Sequence, residues 1–297
     1  MDINTCFATT EAYRSLALYS HLIPAIAAFV LGFFAYVRAP SRLKAAFFFC
    51  FSLAFAAWLL GDVVVWTANS YHLVAALWAP LDLLEITFFL LLFGFVYVDL
   101  FPKKLPQWFN PALLIAAGIP FILTVLGKSV YELNQPVCEM LNNRFLEDYK
   151  LLLEIVVLSG TLILGLMRIV AVHGDRTERI RIALVTLSVF LFMGIFGGSE
   201  YYANTTYVYE VHLYALFTLP IFILLLTIAI TSYSTFRLGD AAVKTLFYVF
   251  LVLAGTQFFF VQDMTGFLLA AMSFGVVLTL GVMLFRILTG SLPFERD

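Results

Sequence analysis

Charged residues are scarce in this chain, since Lys, Arg, Asp and Glu together make up 12% of its 297 residues. A soluble domain of this length needs more polar surface, so the composition excludes an ordinary water-soluble protein. The net charge of −2 excludes the basic face on which nucleic-acid binding depends. The N-terminal residues lack the basic segment and cleavage site of a signal peptide, so we expect the first helix to stay in the mature protein.

The residue patterns of several chemistries are also missing. All six lysines fall near helix ends or in loops, whereas a retinal Schiff base needs a lysine in the middle of a helix. The four histidines are scattered over different elements instead of facing each other as haem ligands. The chain contains no HExxH, GxSxG or P-loop motif, the signatures of common enzyme classes. We therefore expect no enzymatic activity, no cofactor and no metal site.

Long apolar runs dominate what is present, and hydrophobic residues make up 63% of the chain. About 20 helical residues cross the ~30 Å hydrocarbon core of a bilayer. The runs therefore predict an all-α, polytopic bundle of nine helices in the plasma (inner) membrane, with the lipid bilayer as its first partner. The predicted helices are 15–37, 45–68, 80–101, 111–127, 149–172, 182–202, 211–234, 243–261 and 267–286.

Basic residues predict the orientation of the bundle. With the N-terminus outside and the C-terminus cytoplasmic, 13 of the 17 lysines and arginines fall at inner helix ends, as the positive-inside rule requires. The same orientation puts Cys6 and Cys138 on the oxidising side, where a disulfide between them is favoured. Its geometry cannot be read from sequence, and two free thiols are the alternative. We expect Cys50, in the second helix, to be buried.

Two carboxylates stand out in the stretch WAPLDLLEITFFLLLF at residues 78–93. Asp82 and Glu85 share one helical face, and a charge at the bilayer centre costs roughly 2.5–3.5 kcal/mol. We expect Pro80 to begin the helix, so that the helix dipole stabilises Asp82 in the first turn. Glu85 lies about 7–8 Å below Pro80, at 1.5 Å per residue. We expect it to line one cavity with Asp62, sharing a proton or binding a cation or an amine; the alternative is that Glu85 snorkels to the interface.

Further polar and aromatic residues fall at a similar depth and predict a pocket that opens outward. Asp62 is one turn from Trp58 and from Trp66 on the second helix, and intramembrane acids usually mark function. Some residues at this depth have simpler explanations. Glu200 fits an ordinary interface residue, His21 fits a hydrogen-bonded core histidine, and Glu154 fits an ion pair with Lys150. The predicted ligand-binding residues are Asp62, Glu85, Asp82, Trp58, Trp66, Glu200, His212 and His21.

Four segments carry a family resemblance: AAFFFCFSLAFAAWLLGD (45–62), LWAPLDLLEITFFLLLFGFVYV (77–98), DRTERIRIALVTLSVFLF (175–192) and LFTLPIFILLLTIAITSYSTFRLGD (216–240). Together they resemble the N-terminal seven-transmembrane sensory region of prokaryotic histidine kinases, and the last two helices are similar to a pair that follows it in some of them. The resemblance implies a sensor that signals to a cytoplasmic kinase or another signalling protein, and it is compatible with a homodimer. It divides the chain into an extracytoplasmic tail (1–14), a sensory domain (15–240), a two-helix extension (241–286) and a cytoplasmic tail (287–297).

The same resemblance leaves the route of the signal open. No phosphoacceptor helix or ATP-binding module occurs in the sequence, so we expect the signal to pass to a kinase domain beyond Asp297 or to a separate subunit. A ligand that prefers one packing of the outer helices would shift the seventh to ninth helices. A small-solute transporter and a structural subunit of a larger membrane complex are the alternative functions.

Overall fold

The computed structural model describes residues 11–39, 41–68, 70–101, 109–127, 130–134, 139–172, 175–206, 208–231 and 240–288. Within these ranges the chain is almost wholly helical. The helices are α1 (Glu11–Arg38), α2 (Arg42–Thr67), α3 (Tyr71–Leu100), α4 (Phe109–Val125), α5 (Arg144–Ala171), α6 (Arg176–Thr206), α7 (Glu210–Leu216), α8 (Leu219–Thr231), α9 (Asp240–Gly255) and α10 (Met264–Leu288), with a 3-10 helix at Thr256–Phe260.

Seven helical spans are long and apolar enough to cross a membrane, namely α1, α2, α3, α5, α6, α7 with α8, and α10. Two shorter apolar helices cover Pro111–Val125 and Phe247–Phe260. The chain is therefore an all-α, multi-pass membrane protein, as the sequence predicted. Nine crossings with the N-terminus outside stay a prediction.

Six of the spans form a closed ring in which each packs against the next. The order around this ring is α1, α2, α3, α5, α6 and α8, and α8 packs against α1 again. Helix α4 packs against α3, whereas α9 and α10 pack against each other and against the α7–α8 span. That span is almost completely buried, so it is the most central span of the protein.

Aromatic side chains fill the centre of the ring. Phe55 is 5.1 Å from Phe192 and 5.3 Å from Phe88 between ring centroids, and Trp58 is 5.0 Å from Phe196. These rings meet edge to face, the arrangement that their quadrupoles favour. Because lipid is as apolar as the helices, packing of this kind holds them together in a membrane.

Two prolines explain why the boundaries predicted for the third and seventh helices were wrong. Pro80 lies inside α3, which begins at Tyr71; membrane helices tolerate an internal proline because their surroundings satisfy the freed backbone groups. Asp82 is therefore not in a first turn, and the helix dipole does not explain it. The predicted seventh helix is interrupted between Leu216 and Leu219, just before Pro220, which lacks an N–H and clashes with the carbonyl four residues earlier.

The segment before α5 forms a short hairpin that the sequence analysis did not predict. Strands β1 (Val130–Asn134) and β2 (Glu139–Asn142) pair antiparallel, with Asn134 opposite Glu139. Cys6 and Cys138, the predicted disulfide, lie outside the described residues. Cys50 is exposed on the bundle surface, so the prediction that it is buried was wrong.

Candidate functional site

Lys150 of α5 lies where α3, α5 and α6 meet, and it binds carboxylates of both other helices. Its Nζ is 2.8 Å from Glu85 Oε2, 3.1 Å from Asp82 Oδ1 and 3.3 Å from Glu200 Oε1. Asp82 and Glu85 are three residues apart on α3, so both reach the same lysine. Lys150 and both α3 carboxylates are nearly inaccessible to solvent. The structure thus brings three of the predicted site residues together around a lysine that the sequence analysis left outside the site.

Glu154, one turn after Lys150 on α5, adds a fourth carboxylate. One oxygen each of Glu85, Glu154 and Glu200 lie within 4.8 Å of one another. A direct ion pair between Lys150 and Glu154 was predicted, but the ion pairs that Lys150 makes within the described residues lead to α3 and α6. We call these five residues, Lys150 with Asp82, Glu85, Glu154 and Glu200, the Lys150 cluster.

A glycine on α6 makes room for the fourth carboxylate. A Cβ atom added at Gly197 would lie 2.6 Å from Glu154 Oε2, which is closer than two such atoms can approach. At Gly194 and Gly198, neighbouring positions on the same helix, an added Cβ would meet nothing within 4 Å. The bare backbone at Gly197 therefore sets how near Glu154 comes to α6.

Negative charge exceeds positive charge in the Lys150 cluster. Four carboxylates surround one ammonium group, and buried charges are costly unless they are paired. Two buried oxygens, Glu85 Oε1 and Glu200 Oε2, have no hydrogen-bond partner within the described part of the chain. Protonation of the acids or a bound cation would remove this imbalance. The sequence predicted no metal site, because the carboxylates come from three separate helices and form no local motif.

Asp62 belongs to a second polar group, which we call the His21 group: His21, Asp62 and Trp66. Asp62 Oδ2 is 2.7 Å from His21 Nε2 and accepts a hydrogen bond of 3.0 Å from Trp66 Nε1. His21 Nδ1 is 2.7 Å from the carbonyl oxygen of Ala17. Ser20 Oγ is 3.0 Å from the same Nδ1, so the ring of His21 joins Asp62 of α2 to polar groups of α1.

Trp58 and His212 lie between the two groups. The ring of Trp58 is 6.3 Å from that of His21 and 6.2 Å from that of His212. His212 Nδ1 is 2.9 Å from Ser199 Oγ, and Ser199 precedes Glu200 of the Lys150 cluster. All eight predicted site residues therefore lie in one connected region, but Asp62 and Glu85 bind different partners and do not form the pair that the sequence suggested.

A third group of charges, missed by the sequence analysis, lies at the other end of α3 and α6. Arg181 Nη1 is 2.6 Å from Asp99 Oδ2, and its Nε is 2.8 Å from Glu178 Oε2. Lys44 Nζ is 3.0 Å from Asp99 Oδ1. In this Arg181 cluster (Lys44, Asp99, Glu178 and Arg181) two cations balance two anions. The pair Glu178 and Arg181 has helical spacing that sequence alone reveals, whereas the contact with Asp99 depends on helix packing.

Comparison of the chain with protein-family models, with curated proteins and with solved structures finds no match. The resemblance to the sensory region of histidine kinases stays a prediction. The arrangement of the Lys150 cluster, the His21 group and the Arg181 cluster is what remains to indicate function.

Proposed function

We propose that this chain is a membrane sensor module that responds to positive charge, a proton or a small cation, at the Lys150 cluster. The observation that carries the proposal is the excess of four carboxylates over one ammonium in a buried site between three spans. Ionisable groups inside membrane segments are costly and usually mark function. Among the described residues, charges of the cluster also act on Glu147 of α5 and on His212 of α7.

The two charge clusters offer a route for the signal. Helices α3 and α6 each contribute to both clusters, with Glu85 and Asp99 about 21 Å apart along α3 at 1.5 Å per residue. Neutralising one cluster weakens the attraction between Lys150 and its partners and so favours a different spacing of α3, α5 and α6. Because ion pairs also tie α3 to α6 at the Arg181 cluster, that end responds to the same shift in population. A cytoplasmic kinase or another signalling protein would bind to this end and respond to the change in helix spacing.

A distance measurement across the Arg181 end tests this proposal. The full-length chain, with its natural cysteines replaced by serine, carries spin labels at Ser41→Cys and Asp175→Cys in lipid nanodiscs. We expect the distance distribution to change between mildly alkaline and mildly acidic pH, because protonation removes charge from the Lys150 cluster. The change is expected to disappear in the double variant Glu85→Gln, Glu200→Gln.

The matched control for that measurement is Glu210→Gln, which removes an acid at the start of α7, outside the cluster. This variant is expected to respond to pH like the parent chain. A distribution that stays constant with pH in the parent chain contradicts the proposal. So does a response that survives loss of both Glu85 and Glu200 charges.

A small-cation transporter is the second candidate, and one observation favours it. The α7–α8 span is interrupted between Leu216 and Leu219, and broken helices at membrane depth are typical of transporters. Uptake of a labelled cation into proteoliposomes, lost when Glu85 and Glu200 are neutralised, would replace the sensor proposal with this one. A sensor responds in the distance measurement without net uptake.

The predicted orientation places the Lys150 cluster on the outer side and the Arg181 cluster on the cytoplasmic side. Single cysteines test it, one at Asn143 next to α5 and one at Asp175 next to α6. We expect an impermeant thiol reagent to label Asn143→Cys in intact cells, and Asp175→Cys only after permeabilisation. The reverse pattern would show that the N-terminus is inside.

A further inference from the structure

We infer that the Lys150 cluster binds a divalent cation of the size of calcium, ligated by Glu85, Glu154 and Glu200. The inference rests on the proposed function, since it names the ligand to which the module responds. It specifies an ion that prefers oxygen ligands, and it assigns a role to Glu154, which no ion pair of the described residues otherwise occupies.

The spacing of the three carboxylates fits calcium. Three oxygens that all lie within 4.8 Å of one another are all within about 2.8 Å of a common point, close to the 2.3–2.6 Å of calcium–oxygen bonds. Magnesium binds at about 2.0–2.1 Å in a strict octahedron, so the three side chains would have to close in much further. Calcium accepts irregular, carboxylate-rich sites at little cost.

Unsatisfied oxygens point to a ligand independently of this spacing. Glu85 is 2% exposed; its Oε2 binds Lys150, while its Oε1 has no hydrogen-bond partner among the residues described. Glu200 Oε2 is likewise buried and unpartnered within those ranges. A buried carboxylate oxygen without a partner is unfavourable. A cation bound between the two side chains gives both oxygens a partner.

Charge also distinguishes this cluster from the other one. A divalent cation together with Lys150 would bring the four carboxylates to within one charge of neutrality. The Arg181 cluster is already neutral, with Asp99 and Glu178 paired to Lys44 and Arg181, so we assign no ion to it.

Lys150 competes with the cation for the same carboxylates. Glu85 and Glu200 are partners of Lys150 and are also two of the three cation ligands. Binding of the cation therefore weakens the ion pairs that join Lys150 to α3 and α6. This competition would convert occupancy of the site into a change of helix spacing, which is the step that the proposed function requires.

Calcium titration of the full-length chain in lipid nanodiscs, followed by calorimetry, tests the inference. We expect saturable calcium binding that is at least tenfold weaker in Glu154→Gln and in Gly197→Ala, with magnesium binding more weakly than calcium. The alanine at 197 keeps every charge and pushes the Glu154 carboxylate away from α6. Gly198→Ala is the matched control, because its added methyl group meets nothing within 4 Å, and it is expected to bind calcium like the parent chain.

Several outcomes would overturn the inference: no calcium binding by the parent chain, equal affinity in Gly197→Ala and Gly198→Ala, or a preference for magnesium. Thermal unfolding monitored by circular dichroism shows that each variant is folded before it is titrated. The spin-label measurement separates this inference from the proposed function. If the distance changes with pH but not with calcium, the chain is a proton sensor and the calcium site is wrong. If calcium binds but the distance never changes, the calcium site is right and the sensor function is wrong.

Discussion

Lys150→Met is expected to lower the free energy of unfolding by about 3–5 kcal/mol at neutral pH, the usual range when one partner of a buried ion pair is removed. The methionine preserves most of the unbranched side chain but leaves four carboxylates without their ammonium group. Unfolding in detergent, with a chelator present so that no divalent ion substitutes for the lysine, measures the loss. The deficit is expected to shrink as the pH falls, because protonated acids no longer repel one another.

Two further variants identify the cause of that loss. Adding Glu85→Gln to Lys150→Met is expected to recover part of the stability, because it removes one of the charges left unpaired; contacting residues show such coupling. Arg144→Met, which removes an exposed cation from the first residue of α5, is expected to change stability by less than about 0.5 kcal/mol. A Lys150→Met protein as stable as the parent chain at neutral pH would mean that the acids are already neutral without Lys150.

The lengths of the apolar runs in the sequence predicted most of the fold. The bilayer thickness fixes how many apolar residues a span needs, so the long helices were found, although α3 and α6 begin well before their predicted first residues. The interior position of Pro80 was not predicted because the rule that proline starts a helix describes helices in water. In a membrane, neighbouring groups satisfy the interrupted backbone.

The candidate site was predicted in its residue types but not in its pairings. Helices α2 and α3 are apolar on all sides, so no polar stripe shows which face of each meets which neighbour. Asp62 on α2 therefore binds His21 of α1, although depth alone suggested Glu85. The contacts of Lys150 were missed for the same reason: sequence spacing suggests Glu154 on its own helix, whereas packing offers it the carboxylates of α3 and α6.

At the opposite end of the bundle, Asp99→Asn is expected to lower the free energy of unfolding more than any other substitution that removes a single charge. Asp99 is 2% exposed and accepts hydrogen bonds from both Arg181 and Lys44, so its loss leaves two cations to share the partly exposed Glu178. Breaking a buried network in this way costs about 3–5 kcal/mol. Unfolding in detergent measures the loss, and Glu178→Gln is the comparison, with a smaller expected cost because the Glu178 carboxylate is partly exposed and solvent screens its ion pair.

The same substitution also tests whether the two clusters are coupled. If α3 and α6 carry the signal, Asp99→Asn uncouples the ends: calcium binding at the Lys150 cluster is retained, and the spin-label distance between positions 41 and 175 no longer responds to it. The double variant Asp99→Asn, Lys44→Met separates stability from signalling. Removing the unpaired cation is expected to recover part of the free energy of unfolding, but it does not restore the ion pair between α3 and α6. A distance response that returns together with stability would show that Asp99 only holds the helices in place and that the signal travels by another route.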